Sequence, residues 1–126
     1  MPSTGPVILV LDHNSRNLEL LDQFLRKQNY EPVCIGDLGE LQQFIADTNA
    51  LSTISMALLD ITGFDSGLWE SAEILREHKI PFFIISAGKN PATQETGLNH
   101  GASRVLVKPL VGKELIQIIS AIVKGK

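Results

Sequence analysis

Ile54-Ser55-Met56-Ala57-Leu58-Leu59-Asp60 is the stretch on which the fold turns. It is apolar almost without a break and stops on a carboxylate. Runs of about 4–8 such residues suit strands. A run without polar alternation suits a strand covered on both faces, as in a parallel sheet. Working outward, Val7-Ile8-Leu9-Val10-Leu11 and Pro81-Phe82-Phe83-Ile84-Ile85 read the same way, and Pro32-Val33-Cys34-Ile35 and Arg104-Val105-Leu106-Val107 complete five runs.

The segments between them have helical spacing. Leu18, Leu21 and Leu25 recur at i, i+3 and i+7, flanked by Leu20 and Phe24. Asp37 followed by Glu40 forms a capping-box pair ahead of Leu38, Leu41 and Phe44-Ile45. Leu68-Trp69, Ala72 and Leu75 follow. Asn90-Pro91 is an N-cap with proline at the first helical position, and Gly101 is a stop. Leu115-Ile116, Ile118-Ile119 and Ile122-Val123 mark a last helix. The pattern predicts a strand-helix unit repeated five times, hence right-handed crossovers and a parallel sheet with helices on both faces.

The chain has 126 residues, 44% hydrophobic and 20% charged, with a net charge of −3. That is one globular domain, with an ordered core expected over about 7–123. The acidic balance argues against a nucleic-acid or anionic-membrane partner recruited by bulk charge. The one basic cluster is Lys124-Gly125-Lys126. Cys34 is alone, which excludes an internal disulfide and a multi-cysteine metal site. No run approaches the roughly 20 apolar residues of a membrane helix. The opening Met-Pro-Ser-Thr-Gly-Pro has no basic region and reads as a short leader, so a cytoplasmic location is expected.

In open parallel sheets, function gathers at the carboxyl ends of the strands. The first strand ends at Asp12-His13-Asn14, the third at Asp60, the fourth at Ser86-Ala87-Gly88 and the fifth at Lys108-Pro109. Taken singly, each residue is an ordinary cap, turn former or solvated end. Together they put carboxylates, a hydroxyl and an ammonium on one edge. The chemistry that fits is phosphoryl transfer to a carboxylate nucleophile, with charged and hydroxyl groups on the equatorial oxygens.

Four motifs in order, Val7 to Asp12, Leu58-Leu59-Asp60, Ile84-Ile85-Ser86-Ala87 and Gly101 to Pro109, resemble the receiver domain of response regulators in two-component signalling. The resemblance covers residues 7–123. It implies an α/β, flavodoxin-like, doubly wound five-stranded parallel sheet in order 2-1-3-4-5 with five helices. It implies Asp60 as phosphoacceptor, Ser86 as the hydroxyl that follows the phosphoryl group, and Lys108 as its cationic partner before a cis peptide to Pro109. For Mg²⁺ it implies Asp12, Asp60 and the Thr62 carbonyl. The implied partners are a histidine kinase or a histidine phosphotransfer protein and an output partner, and the chain would not be a turnover enzyme.

Three departures stand out. His13 replaces the second acid of the family's pair; imidazole is a poor ligand for Mg²⁺, so weaker Mg²⁺ and better-tolerated Mn²⁺ are expected, unless His13 is simply an exposed loop residue. Val105 replaces an aromatic. The loop Ile61-Thr62-Gly63-Phe64-Asp65-Ser66-Gly67 lacks the family's proline. A pseudo-receiver that binds partners without phosphorylation therefore stays open beside the working switch. A haloacid-dehalogenase-like phosphatase ranks last, because Thr62 stands where its second acid would be. The last helix carries more apolar residues than one stripe needs, so a homodimer through that helix is a further expectation.

Overall fold

The computed structural model describes residues 5–124. Most of the expected leader and the end of the basic tail, residues 1–4 and 125–126, lie outside the described residues. The five strands are β1 (Val7–Leu11), β2 (Glu31–Ile35), β3 (Ile54–Asp60), β4 (Phe82–Ser86) and β5 (Arg104–Val107). All pair in parallel, in the order β2-β1-β3-β4-β5. The helices are α1 (Ser15–Lys27), α2 (Leu38–Ala46), α3 (Thr48–Leu51), α4 (Leu68–Glu77), α5 (Pro91–Asn99) and α6 (Gly112–Lys124).

Among the described residues that is six helices where five were expected. The extra one, α3, is a single turn started by Asp47, whose side chain accepts from the amides of Asn49 and Ala50. One turn is too short to show a period, so only the cap could have signalled it.

The predicted caps are in place. Asp37 accepts from the Glu40 amide, and Asn90 accepts from Ala92 and Thr93 ahead of Pro91. Gly101 follows α5 at φ +101°, a left-handed conformation natural to glycine. Pro32 stands in β2, an edge strand, where a missing backbone donor is tolerated.

Side chains alternate between two cores, as the period of a strand requires. Leu9, Leu11, Ala57, Leu59, Phe82 and Ile84 face Leu41 and Ile45 of α2, Leu51 of α3 and Leu68, Ala72 and Leu75 of α4. Ile8, Val10, Met56, Leu58, Phe83 and Ile85 face Leu25 of α1 and Leu115 and Ile119 of α6. With both faces covered, β1, β3 and β4 are buried nearly throughout, which explains their unbroken apolar sequence. Among the described residues no helix is long and apolar enough to cross a membrane.

Candidate functional site

Parallel strands bring their carboxyl ends to one edge, and the four residues named from sequence meet there. Asp60 is the last residue of β3 and only 1% exposed, while Asp12 follows β1 at 4%. Ser86 ends β4 and is buried at 6%. Lys108 follows β5, held by its amide donating to the Ser86 carbonyl at 2.9 Å. The Lys108–Pro109 peptide is cis.

Lys108 Nζ lies 2.6 Å from Asp60 Oδ2, a charge-assisted contact on a carboxylate almost wholly withdrawn from water. The other oxygen, Oδ1, accepts from the Thr62 amide at 2.9 Å. Asp12 is built alike: its Oδ1 accepts from the Asn14 amide at 2.8 Å. Both aspartates thus fold back onto the amide two residues ahead, an Asx turn that orients the side chain without a second element. The carboxyl of Asp12 is raised above the usual carboxylate range. Burial is the main cause, and the charge of Asp60 and a hydrogen bond to it add to it; the Asn14 amide and the Lys108 ammonium pull the other way.

Two carboxylates this close repel, and oxygen-rich, partly compensated sites of this kind suit a hard divalent cation. Asp12 and Asp60 therefore fit Mg²⁺ by donor type. His13 adds nothing to that set. Its side chain is exposed, with the ring edge-on to Phe64 at 5.8 Å between centroids, against the loop at 61–67. Among the described residues no group of three or more His, Cys, Asp or Glu side chains could hold a metal ion. With His13 beside Phe64, Asp12 and Asp60 are the two carboxylates at this edge.

Ser86 points its hydroxyl elsewhere: Oγ donates to the Gly88 carbonyl at 2.7 Å. Sequence reasoning named Ser86 but had no signal for this bond. It also missed the Thr62 and Asn14 amides, which the Asp-x-x pattern of an Asx turn could have indicated. Val105, half-buried on β5, packs beside Ile84 against Gly97 of α5. Cys34, half-buried on β2, packs against the core beneath α1 and α6, and burial pushes its thiol up, with Asp22 adding.

No known family profile matches the chain. Two curated proteins from Pseudomonas aeruginosa are similar in sequence. The transcriptional regulatory protein GltR is 25% identical over 98% of this chain and 51% of its own length. The transcriptional regulatory protein AruR is 28% identical over 88% of this chain and 46% of its own length. The chain thus spans about half the length of the curated relatives it matches. Among solved structures, a response regulator receiver protein from Burkholderia phymatum superposes with a TM-score of 0.84 at 21% identity, covering 95% of this chain and 96% of that one. The fold is that of response-regulator receiver domains.

Proposed function

We propose, from the receiver fold and the pairing of Lys108 with Asp60, that the chain is a phosphoacceptor switch of two-component signalling. The observation that carries this reading is the 2.6 Å contact between Lys108 Nζ and a carboxylate only 1% exposed at the end of β3. A lysine held there supplies positive charge where phosphoryl oxygens would arrive. The donor is a phosphohistidine on a kinase or phosphotransfer protein. An Asp60 oxygen bonds to phosphorus as the P–N bond breaks; the imidazole leaves with the electron pair and takes a proton from water. Asp60 is consumed once per event, so the chain is a stoichiometric acceptor and not a turnover enzyme.

Each residue has a part that this geometry supports. The Thr62 amide fixes Asp60 Oδ1, leaving Oδ2 and its lysine toward the open edge. Ser86 must exchange the Gly88 carbonyl for the phosphoryl group, so its hydroxyl reports occupancy by changing partner. Asp12, Asp60 and the Thr62 carbonyl would hold Mg²⁺, which when bound supplies charge neutralisation. The output partner is a protein that reads the resulting surface, and the setting is cytoplasmic.

A second reading has its own support. His13 faces Phe64, Ser86 is engaged and Lys108 is already paired, an arrangement a pseudo-receiver could keep permanently. Intact mass after incubation with acetyl phosphate and Mg²⁺ or Mn²⁺ separates the two. A single phosphoryl increment that Asp60→Asn abolishes and Asp12→Asn only reduces supports the switch. No increment under either metal, in a folded protein, leaves the pseudo-receiver.

A further inference from the structure

A cavity of about 670 Å³ lies between α1 and the connection from β5 into α6. That volume falls within the roughly 300–1,000 Å³ of small-molecule pockets. Leu20, Leu21 and Phe24 line it from α1. Leu110 and Leu115 line it from the other side, and Leu115 is only 3% exposed, so the space reaches down to the core. Leu21 and Phe24 pack against that core, whereas Leu20 belongs to neither core and is 48% exposed. An apolar ligand in the cavity would take this surface out of water.

The lining is polar at one end. Asn17 stands in the first turn of α1, the end nearest Asp12, and Lys108 follows β5 at the same edge of the sheet. Phe24 lies seven residues further along α1, about 10 Å away along the helix axis. A Cβ at Gly112 would stand 3.1 Å from the Phe24 ring, so that ring closes the far end against the start of α6. A polar mouth and an apolar length suit an amphiphile with a medium-chain tail.

The charge at the mouth selects the head. Among the described residues that line the cavity, Lys108 alone carries a charge. Its side chain is 29% exposed, while Asp60 and Asp12 are outside the lining and 1% and 4% exposed. Asp60 engages the ammonium at Oδ2, and an ammonium has three donors, so a second acceptor can be served. Asn17 adds an amide donor beside it.

We propose that this cavity binds a small amphiphilic carboxylate, a medium-chain acid, with its head on Lys108 and Asn17 and its tail between α1 and α6, and that the bound acid slows phosphorylation of Asp60 by drawing on the ammonium that the phosphoryl oxygens need. The second half rests on the phosphoacceptor reading; the first does not.

The test is amide-resolved NMR of the whole chain titrated with octanoate, hexanoate, octanol and octylammonium. Octanoate is expected to shift amides over 17–24 and 108–115 in a saturable way. Hexanoate should bind about tenfold more weakly, because two methylenes fewer are buried. Octanol should bind about fivefold more weakly, the size of a charge-assisted contact that is partly exposed, and octylammonium weaker still. Leu20→Asp, outside both cores, is expected to weaken octanoate at least tenfold, and Lys108→Gln to remove the difference between octanoate and octanol. Shifts centred elsewhere, affinity unchanged in Leu20→Asp, or octylammonium binding as tightly as octanoate overturns the site. No saturable binding of octanoate also overturns it and leaves the groove to an apolar face of a protein partner. Intact mass is then followed over time with acetyl phosphate and Mg²⁺. Saturating octanoate is expected to slow the phosphoryl increment about tenfold in wild type and to leave Leu20→Asp at its own ligand-free rate. An unchanged rate in wild type with octanoate bound overturns the regulatory half. No increment with or without octanoate overturns the phosphoacceptor reading and that half with it, while the NMR titration still decides the site.

Discussion

Asp12 pays for its position beside Asp60, and that cost can be read as a dependence on pH. Its carboxyl is raised by burial first and by Asp60 second, so the folded state holds its proton more tightly than the unfolded chain does. Such a group contributes stability that is present in full below its unfolded pKa and is lost as pH rises through the folded value. Asp12→Asn is therefore expected to raise the melting temperature near neutral pH, by about 2–4 °C, in the presence of a chelator. The gain should shrink as pH falls through the raised folded value toward the ordinary carboxylate range, because wild-type Asp12 then takes up its own proton. Thermal melts near neutral pH and in that range check it, and a gain that grows on acidification contradicts the assignment. His13→Asp is expected to tighten Mg²⁺ by about tenfold, because one added charge near the ion is a large attraction mostly offset by hydration. Calorimetry with Mg²⁺ and Mn²⁺ measures it; no gain means that position 13 faces only Phe64. The chemistry-bearing residues were legible because each follows an apolar run, and parallel strands deliver such residues to one edge. The partners they hold were not. The bond from Ser86 to Gly88 and the edge contact of His13 with Phe64 depend on loop geometry that no periodicity encodes.

At the scale of elements, the loop at 61–67 is constrained by its backbone and by a neighbour. Gly63 has φ +86°, and a Cβ there would stand 3.2 Å from the His13 ring. Gly63→Ala meets both the left-handed backbone and the imidazole, and is expected to cost about 1–2 kcal/mol. Urea unfolding of Gly63→Ala alone and with His13→Ala separates the two causes: the double variant should recover the part due to the ring and not the part due to φ. Strands and long helices were legible because they repeat, and α1 and α2 follow their leucines and caps. The short α3 was not, because its one apolar anchor, Leu51, cannot define a face. Nor was the stack of Trp69 on His100, which joins two helices that the sequence leaves far apart.

Across the whole molecule, most of the apolar residues of α6 pack inward, while Ile116 is half-buried and outside both cores. Leu115 and Ile119 are buried, and Ile118, Ile122 and Val123 pack against the same core. What stays exposed nearby is Val111, at the turn from β5 into α6, beside half-buried Leu106, Val107 and Leu110. A second copy is the occupant proposed for this face, and Val111→Lys is expected to shift any dimer toward monomer in sedimentation velocity. Wild type that sediments as a monomer at high concentration, with and without acetyl phosphate, removes that proposal. The alternation of β3 between the two cores also bears on how such a chain can change length over evolution. Deleting one residue within β3 would turn every later side chain to the opposite face, sending Leu58 toward α2 and α4 and Leu59 toward α1 and α6. Parity thus protects the strands from insertions and deletions, and natural variation in length should collect in the connections.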